Sequence, residues 1–191
     1  VGIELDHATR EALVAAGKAL RAAVSDWAAE KWVRGENLHV TVAFLGDVDA
    51  GVVPEMTAAI ARELSAVQTF ELPCEGLRAV PNPRRASMLW AAYSDPEGSA
   101  ASLSRAIGRA TGSLADAPSP KRFKAHITLV RARRARRVDA QTAQLMESMS
   151  SRLSAFMSVP SVTLFSSTLT KAGPQYRSIS TWTLRRPEKG E

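Results

Sequence analysis

Leu38-His39-Val40-Thr41-Val42 and Ala125-His126-Ile127-Thr128-Leu129 share one pattern, His-x-Thr-x with an aliphatic residue at each x. A strand sends successive side chains to opposite faces, so His39 and Thr41 point one way while Val40, Val42 and Phe44 point the other. The same holds for His126 and Thr128 against Ile127 and Leu129. Each stretch therefore reads as a strand that buries an aliphatic face and offers an imidazole and a hydroxyl, about 7 Å apart, on the opposite one. The chain has 3 histidines, and two of them stand in this context, one in each half. The third, His7, reads as an ordinary packed or surface side chain.

Outward from these strands, Asp6 is placed to cap a helix from His7 to Val24 that turns Leu13, Leu20 and Val24 inward. Trp32-Val33 followed by Arg34-Gly35-Glu36-Asn37 reads as strand then turn, and Leu38 to Leu45 as a strand stopped by Gly46-Asp47. Pro54 opens a helix to Ala66. Strands from Phe70 to Val80 and from Ser87 to Tyr93 flank Pro81-Asn82-Pro83. Pro96-Glu97 starts a helix to Ala110, and Gly112 to Pro120 forms a loop. A strand follows from His126 to Arg131, then a helix from Asp139 to Ser150. Val159 to Thr170 and Gln175 to Leu184 form a hairpin around Lys171-Ala172-Gly173-Pro174, and the charged tail frays from Arg185. Strands in antiparallel pairs with helices between them imply an α+β fold. The order of elements in the first half returns in the second, and no Gly-, Ser- or Pro-rich linker intervenes. The expectation is one folding unit over residues 1–191 with two lobes related by a pseudo-twofold.

Composition narrows the class. Of 191 residues, 45% are hydrophobic and 23% charged, too apolar a chain for disorder. No stretch reaches the roughly 20 apolar residues of a membrane span, so no membrane partner is expected. A single cysteine, Cys74, excludes an internal disulfide and a multi-thiolate metal site, and the default compartment is the cytoplasm. A monomer is expected, and the start at Val1 rather than Met suggests that a few residues precede it. The net charge is +6, yet the window from Ala117 to Val138 alone holds Lys121, Arg122, Lys124, Arg131, Arg133, Arg134, Arg136 and Arg137 with no acid. The basicity is local and favours an anionic, phosphate-bearing partner.

Two imidazoles and two hydroxyls lining one cleft have a chemistry in common. Opening a cyclic phosphodiester with water needs a base for the water and an acid for the departing alkoxide. Two groups titrating near 6.5 can hold those opposite protonation states at neutral pH. Hydroxyls can donate to the equatorial phosphoryl oxygens, and a guanidinium such as Arg131 can add charge stabilisation. Neither histidine has acids around it to hold magnesium or an evident third ligand for zinc, so no metal and no cofactor is expected. Trp32, Trp90, Trp182 and Phe44 read as core and Cys74 as a small buried hydrophobe. One of these aromatics, or Tyr176, remains open as a partner for a nucleobase.

These residues resemble a known family. His39-Val40-Thr41-Val42 and His126-Ile127-Thr128-Leu129 match the paired signature of the 2H phosphoesterases. Within them the chain is similar to the RNA 2′,3′-cyclic phosphodiesterases, historically called 2′-5′ RNA ligases. Asn37 through Gly46 follows the first motif. Pro81-Asn82-Pro83-Arg84-Arg85 with Leu89-Trp90 resembles the middle segment, Phe123 through Arg131 the second motif, and Ser167 through Leu184 the C-terminal hairpin. Ala125 departs from the usual proline before the second histidine, which loosens entry to that strand. The density of the Arg133 to Arg137 run is a second departure. The resemblance implies a bilobal α+β fold with both motifs on central strands facing a shared cleft. It also implies cofactor-free hydrolysis of an RNA 2′,3′-cyclic phosphate to a 2′-phosphomonoester. By the same resemblance His39 is the proton donor, His126 the proton acceptor, and Thr41, Thr128 and Arg131 hold the phosphate, while the basic window attracts the RNA backbone. The symmetry of the two motifs does not by itself divide the roles. A small cyclic nucleotide, a 2′-5′-linked oligonucleotide, or RNA binding without turnover remain alternatives.

Overall fold

The computed structural model describes residues 1–115, 123–170 and 173–187. β1 (Gly2–Glu4) leads into α1 (His7–Ala23), where Asp6 caps the helix by accepting from the Thr9 amide at 2.8 Å. A short α2 (Ser25–Ala28) and β2 (Lys31–Trp32) come next. A 3₁₀ turn over Gly35–Asn37 then introduces β3 (His39–Thr41). α3 (Val53–Leu64) starts with Pro54 in its first turn, and β4 (Phe70–Val80) and β5 (Ala86–Tyr93) form a long hairpin. α4 (Ser99–Thr111), β6 (His126–Arg136), α5 (Ala140–Ser150), β7 (Phe156–Val159), β8 (Ser161–Thr170) and β9 (Gly173–Thr183) complete the order. Asp139 caps α5 as Asp6 caps α1, accepting from the Thr142 amide at 2.7 Å.

The strands form two sheets, β3-β1-β8-β9 and β2-β6-β5-β4-β7, with antiparallel ladders throughout. α3 and α4 back the four-stranded sheet: α3 packs on β9, and Ser104 of α4 donates to the Val42 carbonyl at 2.8 Å. α1 and α5 back the five-stranded sheet, against β6 and β4. Ile3, Val40 and Val162 from one sheet and Leu72, Leu89 and Ile127 from the other are fully buried, in a single hydrophobic cluster. Removing these side chains from water supplies the main drive for the fold, at roughly 25 cal/mol per Å² of apolar surface.

Several sequence expectations change. The sheets are not the halves of the sequence, because β2 interrupts the first sheet and β8–β9 return to it after the second is complete. Nor do the motifs lie on central strands: β3 is an edge strand, and β6 is separated from its edge only by the two-residue β2. That placement is what lets the strands meet, since β3 and β6 face each other across the gap between the sheets. β3 ends at Thr41 rather than Leu45, because the Val42 and Ala43 amides converge on the one carbonyl of Val1. Phe44, read as core, is therefore beyond the strand and 72% exposed. α4 starts at Ser99, not Pro96, with the Asp95 carboxylate accepting from the Ala100 and Ala101 amides. β6 continues to Arg136, so Arg133 and Arg134 stand on a strand. Arg185 does not fray, since its amide donates to Val67 O and its carbonyl accepts from Thr69 N. Lys121 and Arg122 of the basic window, Lys171 and Ala172 of the hairpin turn, and tail residues 188–191 lie outside the described residues.

Candidate active site

The β1–β3 register sets Glu4 opposite His39 and Gly2 opposite Thr41, with Ile3 and Val40 both buried between them. Alternation then leaves the His39 ring and the Thr41 hydroxyl on the open side. Gly2 allows β1 to pass close beneath that ring. A Cβ there would stand 2.9 Å from the Val40 carbonyl and 3.1 Å from His39 Cδ2. His39 Nδ1 lies 2.7 Å from the Asn37 carbonyl, which can only accept, so Nδ1 carries the proton. In the neutral ring Nε2 is then the basic nitrogen, and it accepts from Thr41 Oγ1 at 3.1 Å. Asn37 is buried, and its side-chain amide donates to Pro174 O at 2.8 Å, tying the β8–β9 hairpin to the strand that holds His39. Tyr176 and Phe165 of that hairpin meet the imidazole, at centroid distances of 5.0 and 5.8 Å, Tyr176 edge-on.

His126 is built the same way on β6. Its Nδ1 lies 2.8 Å from the Lys124 carbonyl, so here too Nε2 carries the lone pair of the neutral ring. Ala92 pairs with His126 and Trp90 with Thr128, which puts Trp90 on the same face, and its indole stacks on the imidazole with centroids 3.7 Å apart at 21°. Trp90, read as core, is thus half-buried and part of the site.

Arg131 reaches the cleft through an irregularity. Three residues past Thr128, a regular strand would send it to the opposite face. Between β5 and β6, however, Leu89 pairs with Val130 and Trp90 with Thr128, so Leu129 is one residue extra. At this bulge Leu129 and Val130 are both buried, and the alternation resets so that Arg131 joins His126 and Thr128. All five candidates, His39, Thr41, His126, Thr128 and Arg131, line one cleft of about 710 Å³, with Asn37, Pro174 and Tyr176 also in its wall. That volume suits a small ligand such as one nucleotide.

The rings are electrostatically linked. Burial holds His39 below the usual 6.5; the Asn37 carbonyl pulls it back up, and positive charge around it, that of His126 included, pushes it down. Burial likewise lowers His126, the Lys124 carbonyl opposes, and the charges of Arg131 and Lys124 add to the lowering. No group of three or more His, Cys, Asp and Glu side chains comes together among the described residues.

Residues 3–90 match the family model described as LigT like Phosphoesterase, a span that includes the His39 strand. The RNA 2′,3′-cyclic phosphodiesterase of Archaeoglobus fulgidus is 31% identical over 181 residues, covering 94% of this chain and 96% of that protein. The chain belongs to the LigT-like phosphoesterases. It is thus an enzyme of the 2H phosphoesterase superfamily. The RNA 2′,3′-cyclic phosphodiesterase of Aeropyrum pernix is 29% identical over 151 residues, 78% of this chain and 83% of that one. The crystal structure of TT0787 from Thermus thermophilus superposes with a TM-score of 0.76 at 24% identity, over 97% of this chain and 96% of the other. In this LigT-like phosphoesterase the paired motif is legible, Asn37 and Trp90 stand within the motif segments without a role toward the histidines, and Gly2 carries no signal. Gly2 under His39, Trp90 on His126 and the Asn37 side chain on Pro174 are contacts between distant segments that no local spacing announces, whereas the Asn37 carbonyl meets His39 only two residues on. No helix among the described residues is long and apolar enough to cross a membrane.

Proposed function

We propose that the enzyme opens RNA 2′,3′-cyclic phosphate ends to 2′-phosphomonoesters without a metal ion. The observation that carries this reading is the matched pair of backbone clamps. Asn37 O and Lys124 O each take an Nδ1–H, so both imidazoles use Nε2 for proton traffic in one cleft. Water attacks phosphorus while its proton passes to His126 Nε2. The bond from phosphorus to O3′ breaks, and protonated His39 gives its Nε2 proton to the departing O3′. A 2′-phosphate and a 3′-hydroxyl result, and proton exchange with solvent resets the rings. Burial and nearby cations lower both rings, Arg131 and Lys124 acting on His126 and Arg10 on His39, so the division of roles, His126 as base and His39 as acid, rests on the resemblance to the 2H phosphoesterases. When His39 is protonated, its Nε2–H points to the departing O3′ instead of Thr41, and the released Thr41 hydroxyl donates to the phosphoryl oxygens. Thr128 and Arg131 complete the phosphate site.

The names of the relatives support RNA as the substrate class. The test is incubation with an oligonucleotide ending in a 2′,3′-cyclic phosphate in the presence of EDTA, with the product ends identified. A 2′-phosphate is expected; a 3′-phosphate, or an intact ring, overturns the reading.

A further inference from the structure

The cleft accounts for one nucleotide, yet the positive charge beside it extends further. Past Arg131, β6 carries Arg133, Arg134 and Arg136, and Arg137 follows directly. Arg136 turns inward: its guanidinium meets the Glu30 carboxylate and the Asp26 carbonyl and lies 5.3 Å over the Trp27 ring. Glu30 is occupied by this contact and by the Arg133 amide, at 2.8 Å. Arg136 is therefore a strut that pins the end of β6 to α2, not a phosphate ligand. Between Arg131 and Arg136 the strand holds more residues than β5 does between their partners, Met88 and Ala86, so Arg133 and Arg134 ride on a bulged, exposed segment.

The β4–β5 turn adds to this surface. Val138 N donates to Pro83 O at 2.7 Å, which lays the turn against the end of β6. The Asn82 side chain accepts from the Arg84 and Arg85 amides, which holds the backbone of the turn while both arginines stay exposed near the end of β6. Arg84, Arg85, Arg133, Arg134 and Arg137 have no carboxylate partner among the described residues. Asp139, near them in sequence, is taken up in capping α5. Arg133, Arg134 and Arg137 thus carry uncompensated charge onward from Arg131 over about 20 Å of chain, and Arg84 and Arg85 on the adjoining turn add to its far end. A run of exposed, unpaired cations continuing from a phosphate-binding cleft fits a chain of phosphates joined to the one inside.

We propose that this row is a track for the backbone of single-stranded RNA leading to the cyclic end, so that the substrate is a polymer terminus and not a mononucleotide. The proposal rests on the cyclic phosphodiesterase reading of the cleft. Arginines suit such a track because each can grip a phosphate through paired N–H groups without reading the base. The test compares R133E/R134E and R84E/R85E with the unaltered enzyme. The measurements are ring opening of a 12-nucleotide RNA and of a 2′,3′-cyclic mononucleotide, and anisotropy binding of a 12-nucleotide RNA ending in a 2′-phosphate, each across a salt series. Each phosphate contact on a single strand contributes about 0.7 to the slope of log affinity against log salt. Each charge-reversed pair should therefore lower the 12-mer slope by about 1 or more and weaken 12-mer kcat/KM about tenfold, with mononucleotide turnover unchanged. Equal 12-mer slopes in all three proteins, or equal losses on both substrates, would overturn the track. If neither ring opens while binding keeps its arginine-dependent slope, the track stands and the catalytic reading falls.

Discussion

The two histidines begin from the same four-residue pattern and arrive at different surroundings. His39 sits on an edge strand, its Nε2 engaged by Thr41 and its ring met by Tyr176 and Phe165 from a hairpin that Asn37 anchors. His126 sits one strand in, stacked face-on by Trp90 and within the field of Arg131, and no hydrogen bond joins its ring to Thr128. The shared part, Nδ1–H on a carbonyl two residues upstream, sets which nitrogen works. The unshared part decides how readily that nitrogen holds a proton. Symmetry in sequence thus delivers two equivalent tools, and the neighbours make them unequal.

The strongest challenge to this comparison removes either ring. His39→Ala and His126→Ala should each lose at least about 100-fold in kcat for ring opening, since each deletes one of two proton transfers. A variant that keeps its rate shows that its half is scaffold. Next come the hydroxyls, which the motif makes equivalent and the structure does not. Thr41→Val and Thr128→Val should each lower kcat about 10- to 100-fold through a lost phosphoryl contact. Only Thr41→Val should also move a limb of the pH–rate profile, because only that hydroxyl touches a titrating nitrogen. Equal displacement of the profile in both would erase the distinction.

The extent of what could be read beforehand follows from the range of the forces involved. Alternation in β3 and in the first residues of β6 is local, so the facing of His39, Thr41, His126 and Thr128 was legible. So was the Asp6 cap, where a side chain bonds an amide three residues on, while Asp139, read as the first residue of its helix, proves to be the cap of α5. Arg131 reaches the cleft for a reason that periodicity cannot supply, because the bulge at Leu129 depends on the register against β5. β7 was not foreseen: four residues are too few to show alternation, and its order comes from pairing with Phe70–Pro73. Arg136 read as part of a basic face because its partners, Asp26 and Glu30, lie on a distant part of the chain.

Trp90 offers a smaller, more selective test. A stacked aromatic pair contributes about 0.5–1.5 kcal/mol beyond its burial, so Trp90→Leu should cost roughly 2- to 10-fold in kcat while Trp90→Phe keeps most of the rate. Tyr176→Leu removes an edge contact to the other ring, together with its contact to Phe165, and should cost less. If Tyr176→Leu proves the more damaging, the face-on contact is not what distinguishes the His126 half.

The subtlest difference lies in acidity. Both rings are held below 6.5, chiefly by burial. The productive form needs one ring charged and the other neutral, and its population peaks midway between the two apparent pKa values of the pair. The profile of kcat/KM should therefore peak below pH 6.5 and fall as pH rises above it, where the acid loses its proton. Below the peak the base becomes protonated and the rate falls again. Bound substrate brings an anion into the cleft and favours the charged ring, so the kcat profile should lie at higher pH than that of kcat/KM. Arg131→Gln then separates the halves: deleting a cation beside His126 makes its protonation easier and raises its pKa directly, while His39 feels the change only through the charge on His126. One limb of the kcat/KM profile should move upward by clearly more than the other shifts. Two limbs moving equally would mean that both imidazoles feel the guanidinium alike, and Arg131 would no longer distinguish the His126 half from the His39 half.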